Sequence, residues 1–345
     1  MRAAVLREYQ ADLTIEDVPD PVCPDDGVVL RVLACGVCRS DWHGWMGEHP
    51  RVQPGQIQGH EYCGVVEEAG PRAPWAPGDR VIAPFLLACG ACPTCQSGRQ
   101  TVCPDQRLPG FVEPGAFAER VAVPLSHNLA RLPESITPVL AAAMGCRVTT
   151  AWQALTGRAA VQPGEWVAVH GTGGVGMAAV MLGRAMGARM IAVDIVPEKL
   201  ALARSLGAEA TIDARSGDAA AEIRELTGGG AQVSLEALGI EATLRASITC
   251  LAPMGRHVQV GMPVGHTAEM TLPMNLVYTG QLALYGTRGM PAWRFASLFA
   301  LIEGTSLDLT PLIGREIPLS GATAALRAMN GPAPPGVEVI TDFAG

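Results

Sequence analysis

Apolar positions follow two different rhythms along the chain. Up to about residue 147 they come in short runs, Arg2 to Leu6, Val28 to Leu33, Val65-Val66 and Gly115 to Val123. Turn signals such as Pro19 to Pro24 and Pro77-Gly78-Asp79 separate these runs, a pattern that predicts β-strands. An Ala-rich helix, Val139 to Met144, closes this half. From Trp166 onward, apolar strands alternate with helix-period segments. Strands are expected near Val167 to His170, Met190 to Val193, Ala210 to Ile212, Val233 to Leu235, His257 to Val260 and Leu282 to Gly286. Between them lie helices that carry Val175 to Met186, Glu198 to Leu206, Ala219 to Thr227 and Ile240 to Leu251. That alternation predicts an α/β fold with a doubly wound parallel sheet of six strands. Trp293 to Glu303 and Ala322 to Met329 read as helices and Val337 to Thr341 as a strand, all expected to return to the first half; Gly331 to Pro335 reads as a weakly structured loop.

Candidate chemistry gathers where strands give way to loops, which is where functional residues commonly sit. Cys38-Arg39-Ser40-Asp41-Trp42-His43 follows the second strand run, Gly59-His60-Glu61 precedes another, and Cys146 ends the Ala-rich helix. Two Cys and one His supply three protein ligands, the number a catalytic zinc takes when its fourth position stays open. Alone, Cys146 reads more simply as a buried thiol, and the pair Cys35 and Cys38 also allows a redox reading, though no βαβ pattern surrounds it. Cys89, Cys92, Cys95 and Cys103 are spaced to wrap a closed all-thiolate zinc site. An iron–sulfur cluster is the alternative, and the long last spacing with a single ligand set favours zinc.

Gly171-Thr172-Gly173-Gly174-Val175-Gly176 lies between an apolar strand and a helix, the context a dinucleotide-binding loop requires. Its glycines allow the tight turn and bring backbone N–H groups to a pyrophosphate at the helix N-terminus. Asp194, eighteen residues after Gly176, ends the next strand, where a carboxylate accepts ribose hydroxyls and favours NAD over NADP; a helix cap is the alternative. Lys199 follows as the single lysine among 25 basic residues. Its compact ammonium suits a ribose site, and a surface lysine is the plainer reading.

Composition narrows the class. A chain of 345 residues is long enough for two domains. With 48% apolar and 17% charged residues it is not a disordered protein. A formal net charge of −8 opposes nucleic-acid binding, which needs a basic footprint, and a small-molecule substrate fits better. The N-terminal residues lack a signal-peptide core and no apolar run of about 18 residues could span a bilayer. A cytoplasmic location is therefore expected, where ten cysteines serve metals or burial rather than disulfides.

Taken together, C-x-x-C-R-S-D-x-H at Cys35 to His43, G-H-E at Gly59 to Glu61, the four-Cys lobe, Cys146 and G-x-G-G-x-G followed by Asp and Lys resemble the zinc-containing medium-chain alcohol dehydrogenases along nearly the whole chain. The resemblance implies a GroES-like β-rich catalytic domain at 1–147, with its zinc lobe at 89–103 and a return segment at 287–345, around a Rossmann domain at 148–286. It implies two zinc ions, one catalytic on Cys38, His60 and Cys146 and one structural in the lobe, with Asp41 and Glu61 beside the former. Arg39, Thr150, Gly171, Gly173, Gly174, Val175, Gly176, Asp194, Lys199, Val260 and Arg288 are then expected to hold NAD. Trp45, Met46 and Phe85 are expected to line a pocket for an apolar alcohol, aldehyde or ketone.

Zinc brings bound water from a pKa of 15.7 to about 7 and acidifies an alcohol in the same way. The resemblance then implies hydride transfer from the alkoxide to NAD, with Ser40 expected to take the proton and pass it through a cofactor ribose hydroxyl to His43. Two departures from the family pattern stand out. Arg147-Val148 replaces a common Ala-Gly and is expected at the nicotinamide end of the pocket; Val337 replaces an Arg, with Arg288 as a substitute. Polyol and L-threonine dehydrogenases share the outline but typically place Glu at the third zinc position, so Cys146 favours the alcohol branch. A catalytically silent NAD-binding scaffold is the alternative from another class. A homodimer or homotetramer is expected.

Overall fold

The computed structural model describes residues 1–331 and 336–345, so most of the loop expected at Gly331 to Pro335 lies outside the described residues. The chain divides into two compact units. The first comprises Met1–Thr149, Gly289–Glu303 and Asp308–Gly345, and the second comprises Thr150–Arg288 and Gly304–Leu307.

The first unit is built on β-sheets. Arg2–Leu6 pairs antiparallel with Thr14–Asp17 on one side and with Gln56–Ile57 on the other. Seven strands form a second, mixed sheet, whose centre is the antiparallel pair Val28–Gly36 and Glu61–Ala69. Its register sets Cys35 opposite Tyr62 and Gly36 opposite Glu61. Because the strands run in opposite directions, the residues just after the first and just before the second emerge at the same end. Cys38 and His60 are brought together in this way, by strand pairing rather than by nearness in sequence. Leu6, Leu30, Tyr62, Ile82 and Phe117 are fully buried in the core beneath, each contributing about 1.5–3 kcal/mol by leaving water.

Three local differences from the sequence reading have physical causes. Thr14–Asp17 is a strand although Ile15 is its one apolar residue, because it pairs along Arg2–Leu6 at a sheet edge with no fully buried residue. The run Gly115 to Val123 is regular strand only over Arg120–Val123. Gly115, Ala116 and Phe117 instead donate backbone hydrogen bonds to Ile57, Gly59 and Gln58 carbonyls, so they brace the His60 loop. Val28 to Leu33 continues as strand to Gly36.

The second unit holds six parallel strands. From edge to edge they are Ala210–Asp213, Arg189–Asp194, Trp166–His170, Ala231–Glu236, Leu251–Gln259 and Ala283–Gly286. In order of appearance this is 3-2-1-4-5-6, the doubly wound dinucleotide-binding order, in which ligands bind at the carboxyl ends where the order reverses.

Two buried histidines lie in this sheet. The His257 Nδ1 is 3.0 Å from the Ser247 hydroxyl and 3.4 Å from that of Ser234, and the His170 Nε2 is 3.6 Å from the Cys250 sulfur. Burial pushes the imidazole of His170 down to about 3 and that of His257 to about 4. The folded protein therefore keeps both neutral, while the unfolded chain protonates each below about pH 6.5. Between those values the unfolded state carries more protons, so stability rises with pH and is lost on acidification. Each histidine is expected to contribute a slope of up to about 1.4 kcal/mol per pH unit. Denaturant melts from pH 7 to pH 5 check this: His257→Gln should flatten the loss relative to wild type, and parallel pH dependences would contradict the prediction.

Candidate metal centres and dinucleotide site

Cys38 is the N-cap of a short helix, Arg39–Trp45, that starts immediately after the central strand. His60 directly precedes the partner strand. Cys146 lies in a π-helical turn, Met144–Val148, that follows the helix Pro138–Ala143. Single π-turns inside helices recur at functional sites because they re-aim a side chain. Ligand atoms of Cys38, His60, Glu61 and Cys146 all lie within 4.8 Å of one another.

Asp41 orients this group. Its carboxylate accepts from the Cys38 backbone N–H at 2.9 Å, from the Gly59 N–H at 3.2 Å and from the His60 Nδ1 at 2.9 Å. With Nδ1 donating to a carboxylate, Nε2 carries the lone pair, the arrangement usual for metal-bound histidine. That Nε2 is buried and has no hydrogen-bond partner. Contact with Cys146 and, against the effect of burial, the His60 imidazole hold the Cys38 thiol well below its ordinary range. Cys146 is held well above it by Cys38 and by burial. Despite burial, His60 is raised well above its usual value by Asp41 and Cys38. The pocket thus draws in positive charge, which it meets with protons; a divalent cation would displace them, as metal binding to thiols and imidazoles requires. An orphaned imidazole nitrogen grouped with two cysteine sulfurs fits zinc.

Glu61 is fully buried, and burial pushes its carboxyl up to about 8 although Arg147 pulls the other way. Arg147 is 7% exposed and packs onto Glu61 and the Val37 carbonyl within its own unit. Cys35 stays inside the strand with its thiol driven up by burial and forms no disulfide, which leaves the redox reading of Cys35 and Cys38 without support.

Around this group, Phe85 stands edge-on to the His60 ring at 5.8 Å, and Phe111 lies against the same ring at 4.6 Å. Phe111 belongs to no motif, so nothing in the sequence singled it out. Trp45 is 2% exposed within the core and donates its indole N–H to the Ala11 carbonyl at 2.6 Å. Met46 is partly buried against that core. Ser40 is half-buried in the helix after Cys38, and one turn on, the His43 Nδ1 is 2.7 Å from a Glu48 carboxylate oxygen. Arg39 lies over the Trp42 ring, 3.8 Å from its centroid, and bonds the Met329 carbonyl.

In the lobe, the Cys89–Cys95 and Cys92–Cys103 sulfurs are each 3.9 Å apart and Cys89–Cys103 is 3.5 Å. A tetrahedron with Zn–S bonds of about 2.3 Å has edges of about 3.8 Å, so one ion fits where a multi-iron cluster would not. Backbone N–H groups of Cys92, Cys95 and Cys89 point at sulfurs at 3.4 Å and stabilise thiolates.

In the second unit, Gly173 caps the helix Gly174–Ala185. A Cβ on Gly176 would lie 1.9 Å from the Gly171 carbonyl oxygen, so only glycine permits this turn. Asp194 ends its strand as expected, but its carboxylate already accepts from the Thr172 N–H and hydroxyl, both at 2.8 Å, and from the N–H groups of Ile195 and Val196 at 2.8 and 3.1 Å. Both of its oxygens are thus occupied by local donors, and Thr172 is a partner the motif did not announce. Lys199 is half-buried in the helix Pro197–Ser205, Val260 follows the strand Leu251–Gln259 and bonds the Glu236 carbonyl through its N–H, and Thr150 and Arg288 are the end residues of this unit's main segment.

A zinc-ligand set in one unit and a dinucleotide fold in the other define a metal-dependent nicotinamide oxidoreductase. The family profile for an alcohol dehydrogenase GroES-like domain matches residues 24–134, and that for a zinc-binding dehydrogenase matches residues 174–304. An alcohol dehydrogenase of Rhizobium meliloti is 39% identical over 79% of this chain and 80% of its own length. An L-threonine 3-dehydrogenase of Bacillus velezensis is 32% identical over 92% of each. A solved NAD-dependent alcohol dehydrogenase superposes with a TM-score of 0.89 at 30% identity, covering 99% of both chains. The chain belongs to the zinc-type medium-chain alcohol dehydrogenase family. It is an NAD-dependent zinc enzyme acting on small molecules, and among the described residues no helix is long and apolar enough to cross a membrane.

Proposed function

We propose that the enzyme reversibly oxidises a primary or secondary alcohol to the aldehyde or ketone, with Cys38, His60 and Cys146 as the catalytic zinc ligands. The observation that carries this reading is the buried His60 Nε2, without a hydrogen-bond partner while its Nδ1 is spent on Asp41, in a group whose ligand atoms on Cys38, His60 and Cys146 lie within 4.8 Å of one another. When bound, zinc supplies the Lewis acidity that makes the alcohol hydroxyl acidic, and NAD supplies the hydride acceptor. Ser40 accepts the hydroxyl proton and His43 carries it outward, with Glu48 holding the imidazole. Asp41 fixes the ring plane of His60, and Phe85 and Phe111 exclude water beside it. Arg39 is placed on the cofactor pyrophosphate, with Thr150, the glycine loop, Asp194, Lys199, Val260 and Arg288 completing the dinucleotide site. The Cys89 to Cys103 lobe holds the structural zinc.

A homodimer or homotetramer belongs to the same proposal. Its support is the edge strand Ala283–Gly286 and the adjoining helix Met274–Gly280, which expose Tyr285, Met274 and Tyr278.

The experiment follows NADH formation by absorbance across primary, secondary, polyol and aromatic alcohols and L-threonine. Turnover on simple or aromatic alcohols is expected. Turnover on L-threonine or polyols alone would move the assignment to that branch, and none at all, in protein carrying both zincs, would favour a silent scaffold.

A further inference from the structure

Arg147 touches every segment that carries a ligand of the candidate catalytic metal. Its own backbone follows Cys146, its Nη2 donates to the Val37 carbonyl at 3.1 Å, next to Cys38, and its Nε donates to the Glu61 Oε1 at 3.2 Å, next to His60. The Arg147 backbone N–H reaches the same Oε1 at 3.3 Å. A planar fork serves acceptors on two segments from separate nitrogens in a fixed geometry, whereas an ammonium has all its donors on one nitrogen.

The surroundings are shaped around this contact. Gly36 and Gly145 crowd Glu61 so closely that a Cβ on Gly36 would lie 2.6 Å from the Glu61 Oε2, and one on Gly145 would lie 2.9 Å from the Glu61 Cα. The second oxygen, Oε2, is buried and makes no aligned hydrogen bond, and it is held only by the charge of the Arg147 Nη2 at 3.2 Å. Glu61 is also one of the four groups within 4.8 Å of one another. It is therefore a ready fourth protein ligand. A zinc with four protein ligands is closed, whereas catalysis needs one position open.

We infer that Arg147 is the positioning residue that locks the three ligand segments together and holds the Glu61 carboxylate off the metal, keeping the substrate position open. The inference rests on Cys38, His60 and Cys146 being the ligands. It gives Arg147 a role that neither its place in a motif nor a contact with substrate would suggest.

The test uses full-length protein, zinc-loaded for chelator competition and cobalt-substituted at this site for visible absorption. Arg147→Met is expected to release the site's zinc about 10- to 100-fold faster, the scale of losing a partner that orients a ligand, while the lobe zinc is released at the wild-type rate. Its cobalt spectrum should weaken toward that of a higher-coordinate, carboxylate-bound ion. Arg147→Lys should not restore it. The double variant R147M/E61Q, which removes both charges together, should regain the wild-type spectrum yet still release zinc quickly, because the tie to Val37 is gone. Wild-type release and spectrum in Arg147→Met would overturn the inference. Should that variant fail to fold, the release rate of the double variant decides: fast release supports the clamp and the wild-type rate refutes it. If wild-type protein binds no cobalt outside the lobe, the ligand assignment fails instead.

Discussion

Cys38→Ser is expected to lower alcohol turnover by about a thousandfold or more, the loss of several kcal/mol of Lewis-acid stabilisation, and to leave one zinc per chain. The serine oxygen is shorter and harder than a thiolate and is not ionised near neutrality, so it cannot complete a site of one imidazole and two sulfurs. Fold and lobe should persist. Cys38 caps its helix through a backbone N–H held by Asp41, which the substitution leaves in place, and the lobe has its own four sulfurs. Steady-state kinetics with metal analysis checks this. Full activity in the variant would sink the proposed ligand set.

Gly176→Ala should cripple dinucleotide binding, raising the KM for NAD more than about tenfold and lowering the melting temperature. The added methyl meets a backbone carbonyl at 1.9 Å and the Val169 side chain at 3.2 Å. No flexible side-chain end is available to give way at the nearer contact. The loop must move, and with it the N–H groups at the helix N-terminus that would hold a pyrophosphate. Overpacking of this kind costs typically about 1–3 kcal/mol in stability as well. Kinetics at varied NAD together with thermal melts would show it, and an unchanged KM would mean that the loop does not bind the cofactor.

The second unit was largely legible in the sequence, because parallel strands buried on both faces are continuous apolar runs and each is followed by a helix. Ala219–Thr227 and Ala283–Gly286 fall where their patterns place them, within a residue. The first unit was harder. Thr14–Asp17 has a single apolar residue, Ile15, too little for a periodic signal, and edge pairing makes it a strand; Gly115 to Phe117 spend their N–H groups on a loop that lies far away in sequence.

Motif spacing nominated both cysteine groups, and it could do so because ligand count and residue type are themselves chemistry. Neighbours that act through tertiary contact left no such trace. Phe111 reaches the His60 ring only after folding, and Thr172 holds one oxygen of Asp194 through a loop that a pattern of glycines does not specify. Arg147 was conspicuous as a departure, but its partners, Glu61 and Val37, were not readable.

The central claim is that zinc on Cys38, His60 and Cys146 is what allows NAD to oxidise an alcohol. It is tested most directly by measuring zinc per chain by mass while following NADH formation as a chelator withdraws the metal and zinc is added back. The expected result is two zincs at the start, loss of activity in step with loss of one of them, and recovery on adding zinc back. Undiminished NADH formation in protein that retains only the lobe zinc would contradict it.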